Sequence, residues 1–384
     1  MSPEPFSVAW PTDAVDRLRA RISAYRAPVQ PPNAGWRFGC DPAFLSHFCA
    51  QWTNAYDVAA CQLELNRYPQ FTHDVGDGMR LHFVHVRGEA QGRRPLMLIH
   101  GWPGSHYQFW PVIDALAFPS RHGGRTEDAF DLVIPSLPGY AFSTKPSSPV
   151  GPRRTAAWFC SLMQTIGYDR YFVSGTDWGV IIAPWMAFEN DRAVRGIHID
   201  SAGMSPAAEP NNAAEHAWKA VFAEHYARLG AYYHLHSTKV QSLAYAMADN
   251  PVAQAAWILE RLHDWADLGG RSVEDIFGLD RLITSVMLYV MTDSFVTASW
   301  FYTGAEIEGS KQMSAGQRVL VPTGYSAFAD ARNPNPPRSW VEKGYNVVCW
   351  KEHSRGGHFA ATEAPDIVVG DLRFWASTIE REHG

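Results

Sequence analysis

The sequence predicts an α/β protein: a doubly wound, mainly parallel sheet carrying an all-helical insertion. Three observations lead there. Short apolar runs at 95–99, 130–134, 171–174, 194–199, 319–321 and 347–350 alternate with helical patterns, the rhythm of strand–helix–strand units. Between about 210 and 312 the strand signal disappears and only helical periodicity remains. One run, Tyr171-Phe172-Val173-Ser174, enters the turn Gly175-Thr176-Asp177-Trp178-Gly179 and then a helix. In a doubly wound sheet the ligand site lies at the carboxyl ends of the strands, where that turn falls.

Taken in order, residues 10 to about 26 read as an entry strand or loop followed by an amphipathic helix. Val15, Leu18, Ile22 and Tyr25 fall at helical spacing, with Thr12 as the candidate cap. Pro28, Pro31 and Pro32 end it, and 42–52 reads as a second helix. From Gln70 the period drops to two, and 71–75 and 81–86 form a hairpin around Gly76-Asp77-Gly78. Pro95-Leu96-Met97-Leu98-Ile99 is apolar throughout, as a central strand buried on both faces must be. It runs into His100-Gly101-Trp102-Pro103-Gly104-Ser105. The insertion reads as helices at 215–229, 240–247, 252–265 and 283–301, a cap over the active edge of the sheet, and a last helix covers 366–380.

Composition narrows the function classes. Of 384 residues, 46% are hydrophobic and 19% charged, enough to bury a large core and too apolar for extensive disorder. A net charge of −6 leaves no basic footprint for nucleic acid. The five cysteines, Cys40, Cys49, Cys61, Cys160 and Cys349, are odd in number and lack C-x-x-C spacing, against a disulfide framework or a zinc site. The first residues carry no basic and apolar signal pattern, and no apolar stretch reaches spanning length. The expectation is an unanchored cytoplasmic protein. Fifteen Trp in a chain with 13% aromatic residues provide core and the walls of an apolar ligand pocket.

The chemistry centres on Asp177. A strand-to-helix elbow needs small residues on both sides of its nucleophile, and Gly175 and Gly179 supply them, as in an α/β-hydrolase. The usual serine needs a base to remove its proton, whereas a carboxylate, with an ordinary pKa of ~3.9, is already ionised. Such a nucleophile suits displacement at an sp3 carbon, giving an ester that water then cleaves. The backbone amides of Trp102, in the turn after an early strand, and Trp178, just after the nucleophile, are placed to form the oxyanion hole. His358, in Arg355-Gly356-Gly357-His358-Phe359-Ala360, stands where the base belongs, after the last strand. The acid that orients it is Asp330, the first carboxylate beyond 319–321, with Asp200, at the end of an earlier strand, as the alternative and Glu342 a poorer one.

Gly101-Trp102-Pro103-Gly104-Ser105, Asp177-Trp178-Gly179, Pro322-Thr323-Gly324 and the His358 loop together resemble the microsomal-type epoxide hydrolases. The likeness covers nearly the whole chain: Gly35-Trp36-Arg37-Phe38-Gly39 and Leu65-Asn66-Arg67-Tyr68-Pro69-Gln70-Phe71 resemble that family's N-terminal meander. It implies an α/β-hydrolase core with a meander at 1–70, core segments at 71–210 and 313–384, and an α-helical cap at 211–312. It also implies two cap tyrosines that donate to the epoxide oxygen. Tyr232-Tyr233-His234-Leu235-His236-Ser237-Thr238-Lys239 points to Tyr232, with Tyr233 as the neighbouring alternative, and Trp300-Phe301-Tyr302 points to Tyr302. The chain departs from the pattern at Thr176, in place of a common glycine, at Val180, in place of a small residue, and by about one position around Asp330.

The expectation is therefore a cofactor-independent enzyme, with no metal site, that hydrolyses a hydrophobic, aryl-bearing epoxide to a vicinal diol. A role in natural-product biosynthesis fits the displaced acid. Rival readings are a haloalkane dehalogenase, a non-hydrolytic epoxide-opening enzyme and a catalytically silent binding protein on the same fold. The paired tyrosines argue against the first, because a halide leaving group needs no proton donor. A homodimer is left open.

Overall fold

The computed structural model describes residues 2–90, 94–330 and 334–383; Met1 lies outside them. Nine strands form one sheet: β1 Glu4–Phe6, β2 Gln70–Asp74, β3 Arg80–Val86, β4 Arg94–Ile99, β5 Phe130–Pro135, β6 Tyr171–Gly175, β7 Val194–Ile199, β8 Val319–Ala327 and β9 Tyr345–Glu352. Their order is β1-β2-β3-β5-β4-β6-β7-β8-β9. The pairings from β1 to β5 across β2 and β3 are antiparallel, and all the others are parallel. The apolar runs fall in the parallel block, where both strand faces are covered and every side chain of β5 is buried. The helix Trp110–Ala117 packs on the last helix, Pro365–His383, and the helix Pro152–Thr165 packs on Gly179–Glu189.

Secondary structure departs from the sequence reading where local signals were weak. The entry strand is β1, ahead of residue 10, and it is stitched to β2 with Glu4 opposite Thr72. Thr12 is the first residue of its helix and not the cap; Pro11 precedes it and offers no side-chain acceptor. The short helices Val58–Leu65 and Ala231–Thr238 carry too few turns for their period to stand out in sequence. The stretch 283–301 is two helices, Leu279–Val290 and Phe295–Glu308, bent by 76°. Asp293 takes a left-handed conformation at the break (φ 49°) and the Ser294 amide turns back to Tyr289 O. β8 runs six residues past Val321, so Pro322-Thr323-Gly324 lies within the strand. A Cβ at Gly324 would sit 2.7 Å from the Trp375 ring, so close helix packing interrupts the apolar pattern there.

The helices between Ala213 and Glu308 form the cap. The first sixty-odd residues are tied to the core sheet by β1 and by side chains that accept from the backbone, Asn66 Oδ1 from Val8 N (2.7 Å) and Gln62 Oε1 from Trp10 N (2.5 Å). Among the described residues no single helix is long and apolar enough to cross a membrane.

Candidate active site

The elbow between β6 and the helix Gly179–Glu189 is built by exclusion of side chains. A Cβ on Gly175 would stand 2.1 Å from Gly179 O, and one on Gly179 would stand 2.3 Å from Ile99 O. Asp177 itself adopts φ 52°, a left-handed conformation that Asp tolerates better than most residues. The carboxylate is thereby pushed out at the carboxyl end of the sheet. Across from it, a Cβ on Gly101 would fall 2.0 Å from Asp177 Oδ1, so the turn after β4 approaches the carboxylate backbone-first.

That turn delivers a donor. Trp102 N–H donates to Asp177 Oδ1 at 2.8 Å. The turn is braced by His100, whose Nδ1 bonds Gly101 O (3.0 Å) while its Nε2 accepts from Leu137 N (3.2 Å). Burial pushes His100 down to about 4, so it serves as a neutral strut.

On the other side, His358 Nε2 lies 3.2 Å from Asp177 Oδ2 and its Nδ1 2.8 Å from Asp330 Oδ2. Asp330 comes three residues after β8, and the geometry sets it, not Asp200, against the ring. Burial pulls the His358 pKa down, but the Asp330 carboxylate and then Asp177 outweigh it and push it up to about 10. The two carboxylates thus favour the protonated imidazole. Asp200 sits behind this pair beside the Thr176 hydroxyl, and burial pushes its carboxyl up to about 7. Thr176 thus engages a buried acid. Val180 fills the space over Gly203, whose Cβ would lie 2.2 Å from Val180 Cγ2.

Tyr232 and Tyr302 are both buried, with ring centroids 5.8 Å apart and planes nearly perpendicular. The two tryptophans of the candidate oxyanion hole hold them by their indoles. Trp102 stacks on Tyr232 (5.4 Å, 13°) and Trp178 meets Tyr302 edge-on (4.7 Å, 81°). One residue of each pair belongs to the core and the other to the cap, so the same contacts dock the cap over Asp177. Tyr233 goes elsewhere: its hydroxyl donates to Glu306 Oε1 at 2.6 Å.

Three participants escaped the sequence reading. Glu363 accepts from the amides of Asp267 (2.7 Å), Gly357 (2.8 Å) and Phe359 (2.7 Å), fastening the His358 loop to the cap. Its spacing from Phe359, an acid in the first turn of a helix, was the available signal. Trp265 O accepts from His358 N (3.1 Å) and its ring packs on the imidazole (5.0 Å). Glu215, in the first turn of its helix and three residues after the capping Asn212, carried the same kind of signal. The site opens into a cavity of about 670 Å³ lined by Asp177, Trp178, Tyr232, Tyr233, Trp218, Phe222, Tyr226 and Trp340. Among the described residues no cluster of His, Cys, Asp and Glu is arranged to hold a metal.

The family model described as Epoxide hydrolase N terminus matches residues 3–109, and the one described as alpha/beta hydrolase fold matches 94–227. Epoxide hydrolase 1 of Sus scrofa is 30% identical over 98% of this chain and 89% of its own length. The solved structure of Aspergillus niger epoxide hydrolase superposes with a TM-score of 0.85 at 28% identity, covering 99% of this chain and 97% of that one. Juvenile hormone epoxide hydrolase of Bombyx mori does so at the same score and identity, covering 100% and 95%. The motifs, the capped sheet and these relatives agree, and the chain belongs to the microsomal-type epoxide hydrolase family of the α/β-hydrolase superfamily.

Proposed function

We propose that this protein converts a hydrophobic, aryl-bearing epoxide to a vicinal diol through a covalent ester on Asp177. The observation that carries the reading is the division of labour on one carboxylate: Oδ1 held by Trp102 N, Oδ2 facing the His358 ring. Oδ2 attacks a ring carbon, the carbon–oxygen bond breaks, and the Tyr232 and Tyr302 hydroxyls stabilise and protonate the departing alkoxide. Esterification removes the charge of Asp177, one of the two anions that hold the proton on His358. The imidazolium then gives its proton up to the tyrosinate left by ring opening and becomes a base, steadied by Asp330. It takes a proton from water, whose oxygen adds to the ester carbon. The oxyanion that develops on Oδ1 meets the donors of Trp102 and Trp178. Collapse releases the diol and restores the carboxylate, and the net reaction is epoxide plus water to diol.

The aromatic lining of the cavity supports an apolar substrate with a ring. The test is intact-protein and peptide mass spectrometry of His358→Gln incubated with aryl and alkyl epoxides. The base is disabled, so an adduct of epoxide mass should accumulate on Asp177. A folded variant that forms no adduct with any of them, while the wild type turns one over, would overturn the ester mechanism.

A further inference from the structure

The helix Ala213–Leu229 is unlike the rest of the cap. Of its seventeen residues a single one is fully buried, and that one is a carboxylate, Glu215, whose side chain has 0% exposure. A carboxylate leaves water at low cost only where donors replace the water. Here Asn211 N (2.9 Å), Asn212 Nδ2 (2.9 Å) and Ser339 Oγ (2.8 Å) donate to it, and Lys343 closes an ion pair. Ser339 and Lys343 lie between β8 and β9, so the first turn of the helix is bolted to the core.

The inner face of the same helix is aromatic. Trp218, Phe222 and Tyr226 recur every fourth residue, share one face and line the cavity that holds Asp177. Their rings form a row, Trp340 to Trp218 at 5.4 Å, Trp218 to Phe222 at 5.8 Å and Phe222 to Tyr226 at 6.4 Å. The row continues through Tyr233 to Tyr302. Trp218 Nε1 donates to Pro334 O at 2.7 Å, fixing the outer end. Phe222 keeps 37% of its surface exposed. Tyr226 packs at the margin of the core, while Trp218 and Phe222 lie outside it and face the cavity, as a wall for an apolar ligand does.

We infer that Glu215 is a positioning residue for substrate length. By clamping the helix Ala213–Leu229 to the core, it holds the row Trp218, Phe222 and Tyr226 against the body of an elongated apolar epoxide whose ring lies at Asp177. The inference rests on the Asp177-centred reading above and adds the substrate class, long rather than compact epoxides. Contacts to the unreacting body are equal in ground and transition states, so they act on KM and kcat/KM more than on kcat.

The experiment compares kcat and KM for 1,2-epoxybutane and 1,2-epoxydodecane in the wild type, Glu215→Ala, Lys343→Met and Phe222→Ala. The ratio of kcat/KM for the long over the short epoxide should fall about tenfold in each variant, chiefly through KM, the effect of losing about one buried aromatic contact. Phe222→Ala keeps the test readable if the clamp variants do not fold. A ratio that falls less than threefold, or an equal loss on both epoxides, would overturn the inference and leave the Asp177 reading standing. A wild type that turns over styrene oxide and neither alkyl epoxide would overturn the inference alone, and one that turns over none of the three would overturn both.

Discussion

Gly101→Ala puts the backbone-first approach of the turn after β4 under direct strain. The new Cβ would lie 2.0 Å from Asp177 Oδ1, 2.5 Å from Asp177 Cβ and 2.5 Å from Trp178 N. None of these can persist, since ordinary contacts begin at 3.4 Å, and turning the carboxylate aside would relieve only the first, because Asp177 Cβ and Trp178 N are fixed by the backbone of the elbow. The turn and the elbow must separate by ~1 Å, a displacement that by itself can cost ~10²-fold in rate. The 2.8 Å bond from Trp102 N to Oδ1 breaks with it, and losing one oxyanion donor costs ~10²–10³-fold, so kcat should fall on the order of 10³-fold or more. The assay is steady-state hydrolysis of an aryl epoxide, with quench-flow mass spectrometry to separate ester formation from ester hydrolysis, and circular dichroism to establish folding. Gly370 is the control, because nothing stands within 4 Å of its Cβ position in the last helix. Gly370→Ala should leave kcat alone and stabilise by ~0.5–1 kcal/mol. A folded Gly101→Ala enzyme that keeps more than a tenth of wild-type kcat would refute the packing argument.

Asp330→Asn should slow single-turnover ester hydrolysis ~10²-fold or more and let the Asp177 adduct accumulate, while Asp200→Asn slows it less than tenfold; the reverse ranking would hand the acid's role to Asp200. Tyr232→Phe and Tyr302→Phe should each slow ester formation by ~10–10²-fold, with a larger loss in the double variant; burst amplitudes measure this, and an unchanged rate in the double variant would remove both tyrosines from the mechanism. His358 has its folded pKa raised from 6.5 to about 10, so its contribution to stability is fully present below pH 6.5 and is lost as pH rises through about 10. The melting temperature of the wild type should therefore fall between pH 7 and 10 more steeply than that of His358→Gln; parallel curves would show that the carboxylates do not hold the proton.

Features carried by neighbouring residues were legible in the chain. The parallel strands are short and mostly apolar, so β4, β5, β6 and β7 were legible to within a residue or so at each end. The elbow was legible because Gly175 and Gly179 flank Asp177 within five positions, and the His358 loop because its glycines stand beside it. Resemblance, not periodicity, singled out Tyr232 and Tyr302 among fifteen tyrosines. The rest came from contacts between distant segments. They pair the Tyr233 hydroxyl with Glu306, seventy-three residues on, and bring Asp330 to His358 Nδ1. They also revealed Glu215 and Glu363, whose burial depends on donors from other segments. A strand or an elbow is set by sterics and hydrogen bonding within a few residues. The partner of a buried charge is chosen by desolvation, which exists only after distant segments have closed over it.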